Sequence, residues 1–154
     1  MSSNLWRSLE SGLANAATIG QVAAEITAYG RTLIGADGVT FVIADDGYCH
    51  YLDADGISPL WKGMRFPAAT CISGWVMSHR QAVTIPDVFQ DHRVPHDVYR
   101  ATFVKSLHMV PVGETGAAIG AYWAEYHDPT DEESTVLHRL ARMANLALAR
   151  VAAA

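Results

Sequence analysis

The chain has 154 residues, 50% hydrophobic and 18% charged, a length and balance typical of one folded domain with a single core. Its formal net charge of −5, with no cluster of Lys and Arg, argues against a surface that binds nucleic acid or anionic lipid. Two cysteines are too few for a disulfide framework, and no segment has the pattern of a signal peptide or membrane span, so we expect a cytoplasmic protein.

Helices and a hairpin are predicted in the first half of the chain. In order, these elements are a helix up to residue 15, a helix from Thr18 to Gly35, and strands at 39–44 and 48–52. Thr18 and Gln21 have the spacing of a capping box, in which each side chain satisfies a free backbone N–H. Gly35 accepts the left-handed conformation that ends a helix.

Shorter elements are predicted in the second half before a long final helix. They are a helix from Ser73, as its cap, to His79, strands at 82–85, 107–112 and 117–126, and a helix from Thr130. Residues 87–100 are predicted to form a polar loop with one helical turn. Gly120, inside a strand pattern, predicts either a bulge or close packing against the backbone.

These elements predict an α+β fold around a central antiparallel sheet, because hairpins pair their strands antiparallel. The N- and C-terminal helices each have one apolar stripe and are expected to pack on one face of the sheet. A layer of loops and short helices is expected to cover the other face. Small ligands usually bind in such an interior space.

Five segments in this order carry a resemblance to a known family. They are Gly38–Val42, Cys71–Met77, Val83–Val88, Phe103–Val112 and Ile119–Trp123. The series resembles the GAF domain in the form found in bacterial two-component sensor histidine kinases. The resemblance implies that residues 1–17 form an N-terminal signalling helix and residues 18–154 a sensory, non-enzymatic domain. It also implies a kinase or other effector domain in the same chain, and a small-molecule ligand whose identity it leaves unknown.

The ligand site is predicted between the sheet and residues 57–105, where the polar loop is expected to act as a lid. The proposed ligand-binding residues are Trp75, Asp87, His92, Arg93, His96, Tyr99 and Tyr122. A metal site from Asp87, His92 and His96 is chemically possible, but it lacks the usual ligand spacings, so we predict no metal. Two alternatives stay open: a rigid loop in which Arg93 clamps aspartates, and a ligand-free relay whose aromatic residues are all core.

The cysteines decide against two kinds of chemistry that GAF domains support. Bilin-binding members attach the chromophore through a Cys-His pair whose position here falls near His92 to His96, where no Cys stands. This argues against a covalent bilin. Cys71 precedes a helix start, which lowers a thiol pKa, but the motif of the free methionine sulfoxide reductases is missing. That enzyme is therefore kept only as a remote alternative, and no catalytic residue is predicted.

Apolar stripes on the terminal helices need partners, either within the chain or on a second copy. In GAF domains of the kinase type, such helices join into dimeric bundles. We therefore predict a homodimer, the commonest symmetric assembly. The helix positions proposed for its contacts are Leu5, Trp6, Leu9, Leu13, Leu140 and Leu148.

Overall fold

The computed structural model describes residues 2–153. Its helices are α1 Ser2–Asn15, α2 Ile19–Ile34, α3 Ile72–His79, α4 His96–Arg100 and α5 Asp131–Ala153. Its strands are β1 Gly38–Asp45, β2 Tyr48–Gly56, β3 Arg65–Pro67, β4 Val83–Ile85, β5 Ser106–Pro111 and β6 Ala117–Trp123. Short 3-10 turns lie at Ala68–Thr70 and Val88–Gln90.

Side chains cap both long helices, at Thr18 as predicted and at Thr130 by the same pattern. The Thr18 hydroxyl accepts a hydrogen bond from the backbone N–H of Gln21 at 3.1 Å, and the Gln21 side chain accepts one from the N–H of Ala17 at 2.6 Å. Thr130 and Glu133 make the corresponding pair of bonds at the start of α5, at 3.1 and 2.8 Å. These local bonds satisfy donors that the first helical turn leaves free.

The six strands form one antiparallel sheet in the order β3-β2-β1-β6-β5-β4. Helices α1, α2 and α5 share a buried apolar cluster with one face of the sheet. The other face is covered by α3, α4 and the connecting loops, with a second buried cluster. This arrangement confirms the predicted α+β architecture. Among the described residues, no helix combines the length and the apolar character needed to cross a membrane.

Close packing is the reason for the glycine in the longest predicted strand. A Cβ at Gly120 would lie 2.6 Å from the hydroxyl oxygen of Tyr122, so only glycine leaves room for that phenol. The Tyr122 hydroxyl is hydrogen-bonded to the Thr40 hydroxyl at 2.9 Å. The irregularity in the sheet lies instead between β1 and β2, where the partners of Phe41 and Val42 are Asp53 and Tyr51, so that Leu52 of β2 has no partner in β1. Of the two predicted alternatives, the structure therefore selects close packing.

The predicted cap of α3 is wrong by two residues. Cys71 precedes the helix, without a capping side-chain bond, and Ser73 lies buried inside the helix. The Ser73 hydroxyl contacts the Tyr51 hydroxyl at 3.1 Å and donates to the Cys71 sulfur at 3.6 Å. A buried hydroxyl must find a polar partner, and here the partners are the Tyr51 hydroxyl and the Cys71 sulfur rather than the free N–H groups of the first helical turn.

The terminal helices pack within the chain. Of the six positions predicted as dimer contacts, Leu5 is half-buried and the others are buried in this chain's own helix-side cluster: Trp6, Leu9, Leu13, Leu140 and Leu148. The apolar stripes therefore find their partners inside the protomer. The homodimer stays a prediction, but its surface has to be formed by other side chains of α1 and α5.

The stability of this fold is expected to fall as the pH drops below about 6.5. His108 on β5 is 5% exposed; its Nδ1–H donates to the Val83 carbonyl at 2.9 Å, and its Nε2 accepts from the Ser134 hydroxyl at 3.2 Å. Burial lowers the pKa of His108 below its usual 6.5. Below about pH 6.5 the unfolded chain binds the proton more readily than the folded chain does. The stability contributed by neutral His108 is therefore fully present above about pH 6.5 and is lost as the pH falls below it.

The test is urea denaturation between about pH 7.5 and about pH 5.5, a range in which carboxylates stay ionised. One such histidine contributes a slope of at most about 1.4 kcal/mol per pH unit. The variant His108→Gln is expected to show a shallower pH dependence. An identical slope in both proteins would contradict this assignment.

Candidate functional site

An open cleft of about 440 Å³ lies on the face of the domain opposite α1 and α5. Its walls are the 3-10 turn before α3, one side of α3, and the loop before α4. The lining residues are Ala68, Ala69, Thr70, Cys71, Gly74, Trp75, Ser78, His79, His92 and Arg93. None of these ten residues is acidic, whereas three can carry positive charge.

Arg93 is held in a fixed position at the cleft. Its Nε donates to one carboxylate oxygen of Asp91 at 3.0 Å and its Nη2 to the other at 2.7 Å. The guanidinium carbon also lies 4.5 Å from the centre of the Trp75 ring. The hydrogen bonds from Arg93 lower the pKa of Asp91, so both groups stay charged at neutral pH. Asp91 does not engage Nη1, which leaves that nitrogen for an anionic ligand.

Trp75 links Arg93 to helix α3. Its ring stacks on His79 with centroids 4.2 Å apart and planes inclined by 17°. The His79 Nδ1–H also donates to the Trp75 carbonyl at 2.9 Å. Because residues four apart lie on the same helix face, this stack is built into the sequence. The result is a layered row of guanidinium, indole and imidazole along the cleft.

Two other predicted residues shape the loop rather than line the cleft. Asp87 accepts a hydrogen bond from the N–H of Phe89 at 3.0 Å and so caps a 3-10 turn. His96 donates through Nε2 to the Asp91 carbonyl at 2.9 Å. Their polar atoms are therefore used in holding the loop. Among residues 2–153, no three His, Cys, Asp or Glu side chains converge as a metal site requires.

Tyr99 and Tyr122, also predicted as ligand contacts, lie in the buried cluster beneath the cleft. Trp61 is the centre of this cluster, with ring centroids 4.7 Å from Tyr99, 5.6 Å from Tyr122 and 5.3 Å from Tyr51. These rings fill the interior space in which the ligand was expected. Within the described chain, the Tyr99 hydroxyl is buried without a hydrogen-bond partner.

The predicted site residues thus fall into three groups. Trp75, His92 and Arg93 come together at the cleft, Asp87 and His96 support the loop, and the two tyrosines belong to the core. Sequence reasoning did not include His79, although its spacing from Trp75 gives the signal for a stacked pair. It considered Cys71 only for the reductase alternative and did not place it among the ligand-binding residues, although Cys71 lines the cleft at the start of α3.

Cys71 has an unusual electrostatic environment for a largely buried thiol. The Cys71 thiol donates to the Pro67 carbonyl at 3.4 Å and accepts from the Ser73 hydroxyl at 3.6 Å, and the neighbouring Cys49 thiol, with Ser73 and the N–H of Gly74, lowers the pKa of Cys71. The neighbouring Cys71 thiol, with burial, raises the pKa of Cys49 far above its usual range.

Comparison with known proteins identifies the family and the fold. The family described as GAF domain matches residues 16–149. A similar structure is the GAF domain of a phosphoenolpyruvate-protein phosphotransferase from Coxiella burnetii, with a TM-score of 0.83, 17% identity, and 97% of this chain and 94% of that chain covered. No curated protein sequence matches the chain.

Two further solved structures share the fold. Free methionine-R-sulfoxide reductase from Neisseria meningitidis gives a TM-score of 0.76 at 17% identity, covering 93% of this chain and 85% of that chain. The phycoerythrobilin-bound GAF domain of a cyanobacterial phytochrome gives 0.77 at 17% identity, covering 98% of this chain and 95% of that chain. Identities this low show a common fold and leave the ligand undetermined.

Proposed function

The chain belongs to the GAF domain family, and from that premise we propose that it senses a small anionic molecule bound in the cleft beside α3. GAF domains are generally regulatory, ligand-binding modules rather than enzymes. The cleft has the concave shape and the few fixed polar groups that small-molecule sites usually have.

Arg93 is the observation that carries this proposal. Its guanidinium is oriented by Asp91 and by the Trp75 ring before any ligand arrives, so binding does not have to immobilise a long side chain. Charged nitrogens in this geometry suit the oxygens of a carboxylate or phosphate. The cleft lining contains no acidic side chain that would repel such an anion.

Binding of inorganic phosphate and of benzoate, observed by amide chemical shifts, tests the site. We expect shifts at residues 68–75 and 91–93 with at least one of the two anions, and a loss of affinity of at least about tenfold in Arg93→Ala. Arg100→Ala is the matched control, because Arg100 pairs with Asp97 away from the cleft lining. Equal affinity in Arg93→Ala and Arg100→Ala would contradict the role of Arg93.

We further propose that the domain passes its state to a histidine kinase or another effector in the same chain, in the cytoplasm. Residues 1–17 would then act as the signalling helix, since α1 packs against both α2 and α5. A ligand in the cleft touches α3, which packs on the sheet that supports these helices. The sheet thus gives a mechanical route from the cleft to the ends of the chain.

A homodimer through the outer faces of α1 and α5 is part of this proposal. Leu146 on α5 is 73% exposed and borders a groove of about 340 Å³ that also includes Leu13, Ala14 and Met143. A second copy of the same face would cover these apolar groups in a symmetric contact. We expect a dimer mass by light scattering and a monomer mass for Leu146→Glu; an unchanged mass in the variant would contradict this surface.

A ligand-free relay is the second candidate function, favoured by the filled interior around Trp61. In that case neither anion shifts the cleft resonances, while the dimer and its dependence on Leu146 persist. A methionine sulfoxide reductase remains the remote alternative. Support for this alternative requires that the protein reduces free methionine sulfoxide and that Cys71→Ser abolishes the activity.

A further inference from the structure

Asp91 determines which part of Arg93 a ligand can contact. The Asp91 carboxylate accepts hydrogen bonds from Nε and from one N–H of Nη2, which together form one edge of the guanidinium. The end of the guanidinium, formed by Nη1 and the second N–H of Nη2, is not engaged by Asp91. The Trp75 ring lies against one face of the same group. A ligand therefore meets Arg93 at that end, where two parallel N–H bonds match the two oxygens of a carboxylate.

The negative charge of Asp91 is a fixed part of the site. Its side chain is 18% exposed and that of Arg93 is 27% exposed, and the backbone N–H of Arg93 also donates to the carboxylate at 2.9 Å. The Asp91 carbonyl accepts from the N–H of Val94 at 3.3 Å and from Nε2 of His96 at 2.9 Å. These bonds hold both the main chain and the side chain of Asp91. The guanidinium therefore faces a ligand with its charge already balanced by one carboxylate.

Other hydrogen-bond donors in the cleft are already used by the protein. The Thr70 hydroxyl donates to the Pro67 carbonyl at 3.0 Å. The Ser78 hydroxyl donates to the Trp75 carbonyl at 3.3 Å. Arg93 is the one Lys or Arg among the ten lining residues. A phosphate group carries three strong acceptor oxygens and nearly two negative charges. The lining therefore matches a ligand with one negative charge better than a ligand with two.

We propose that the cleft selects a monocarboxylate with a compact apolar body and discriminates against a dianionic phosphate of similar size. The carboxylate binds at the end of the Arg93 guanidinium, and the apolar body lies against the small side of the lining formed by Ala68, Ala69 and Gly74. Asp91 is a positioning residue, which orients Arg93 and repels the second charge of a dianion. This inference rests on the proposed anion site and narrows its class of ligand.

Benzoate and phenyl phosphate, titrated separately at about pH 7.5 and followed by amide chemical shifts, test the selectivity. The two probes share a phenyl ring, but benzoate is a monoanion and phenyl phosphate is a dianion, because the second pKa of a phosphate ester is about 6. We expect the wild-type protein to bind benzoate at least about fivefold more tightly than phenyl phosphate. The shifts should appear at residues 68–75 and 91–93, and Arg93→Ala should weaken the binding of benzoate.

Asp91→Asn separates the positioning role from a purely structural one. The asparagine oxygen can still accept from the backbone N–H of Arg93, which preserves the turn, but the negative charge is gone. We expect the preference for benzoate over phenyl phosphate to fall by at least about threefold. Asp97→Asn is the matched control, because it removes the same charge from an exposed carboxylate that pairs with Arg100 away from the cleft lining. Its preference should equal that of the wild-type protein.

The outcomes distinguish this inference from the proposed function. Phenyl phosphate that binds through Arg93 as tightly as benzoate would overturn the inference and leave the anion site in place. An equal preference in Asp91→Asn and in the wild-type protein would overturn the role of Asp91. Binding of neither probe, or binding that Arg93→Ala retains in full, would overturn the anion site and the inference with it. The wild-type comparison of the two probes decides the selectivity even if a variant fails to fold, and circular dichroism identifies such a variant.

Discussion

Replacement of Leu9 by Glu is expected to unfold the domain. Leu9 is fully buried in the cluster between α1, α2 and α5, so the new carboxylate has neither water nor a partner. Loss of the packed side chain together with burial of an unpaired charge should reduce the free energy of unfolding by about 4 kcal/mol or more. Because domains of this size are stable by only about 5–15 kcal/mol, the loss removes most of the margin.

Thermal and urea unfolding followed by circular dichroism measures this change. Leu146→Glu is the matched control, since it places the same charge on the same helical layer at a side chain that is 73% exposed. The Leu146→Glu variant should keep the circular dichroism spectrum of the native protein. As a monomer, it should have nearly the same free energy of unfolding as the original domain. Native-like stability of Leu9→Glu would contradict the packing of α1 within its own chain. Leu9 would then be assigned to an interface between two copies, as the sequence analysis predicted.

Replacement of Gly74 by Ala should also strongly destabilise the protein, although alanine favours helices by about 1 kcal/mol over glycine. A Cβ at Gly74 would overlap the carbonyl oxygen of Ala68 and lie 2.8 Å from its carbonyl carbon. Both atoms belong to the backbone of the 3-10 turn, which cannot rotate away as a side chain would. We expect a loss of about 3 kcal/mol, the upper range for overpacking.

The free energy of unfolding in urea provides the measurement. Gly20→Ala in α2 is the control, because a Cβ there meets only the Thr18 hydroxyl at 3.8 Å. That variant should be as stable as the original or slightly more stable. If Gly74→Ala were stabilised to a similar degree, α3 and the wall of the cleft would not be in the close contact described.

Much of the fold follows from signals that are local in sequence. The capping boxes at Thr18 and Thr130 and the left-handed Gly35 define helix ends through bonds within a few residues. Strand β3 was not predicted, because three residues ending in proline show no alternation. Residues 65–67 form a strand because they pair with the edge of β2 that faces away from β1. That pairing depends on the hairpin of β1 and β2 being formed.

The site was harder to predict than the fold. Loop composition and aromatic content indicated Trp75 and Arg93, but not that the two would stack. Tyr99 was predicted at the ligand because it lies on the polar loop, and Tyr122 because aromatic residues could line the pocket; their rings instead pack around Trp61. The rings that fill a protein interior are determined by the packing of side chains from several elements at once. A single sequence does not reveal how those side chains pack together.

Cysteine reactivity shows the same limit. The position of Cys71 before a helix was visible in the sequence, and so was the possible effect on its pKa. The larger cause is Cys49, which only the pairing of β2 with its neighbours brings to that point.

Native mass spectrometry of the protein as purified from cells tests the proposed anion site at Arg93. We expect a wild-type population that carries one small acidic molecule, a similar population for Arg100→Ala, and only the bare mass for Arg93→Ala. Wild-type protein that carries no small molecule, or a bound mass that Arg93→Ala retains in full, would contradict it.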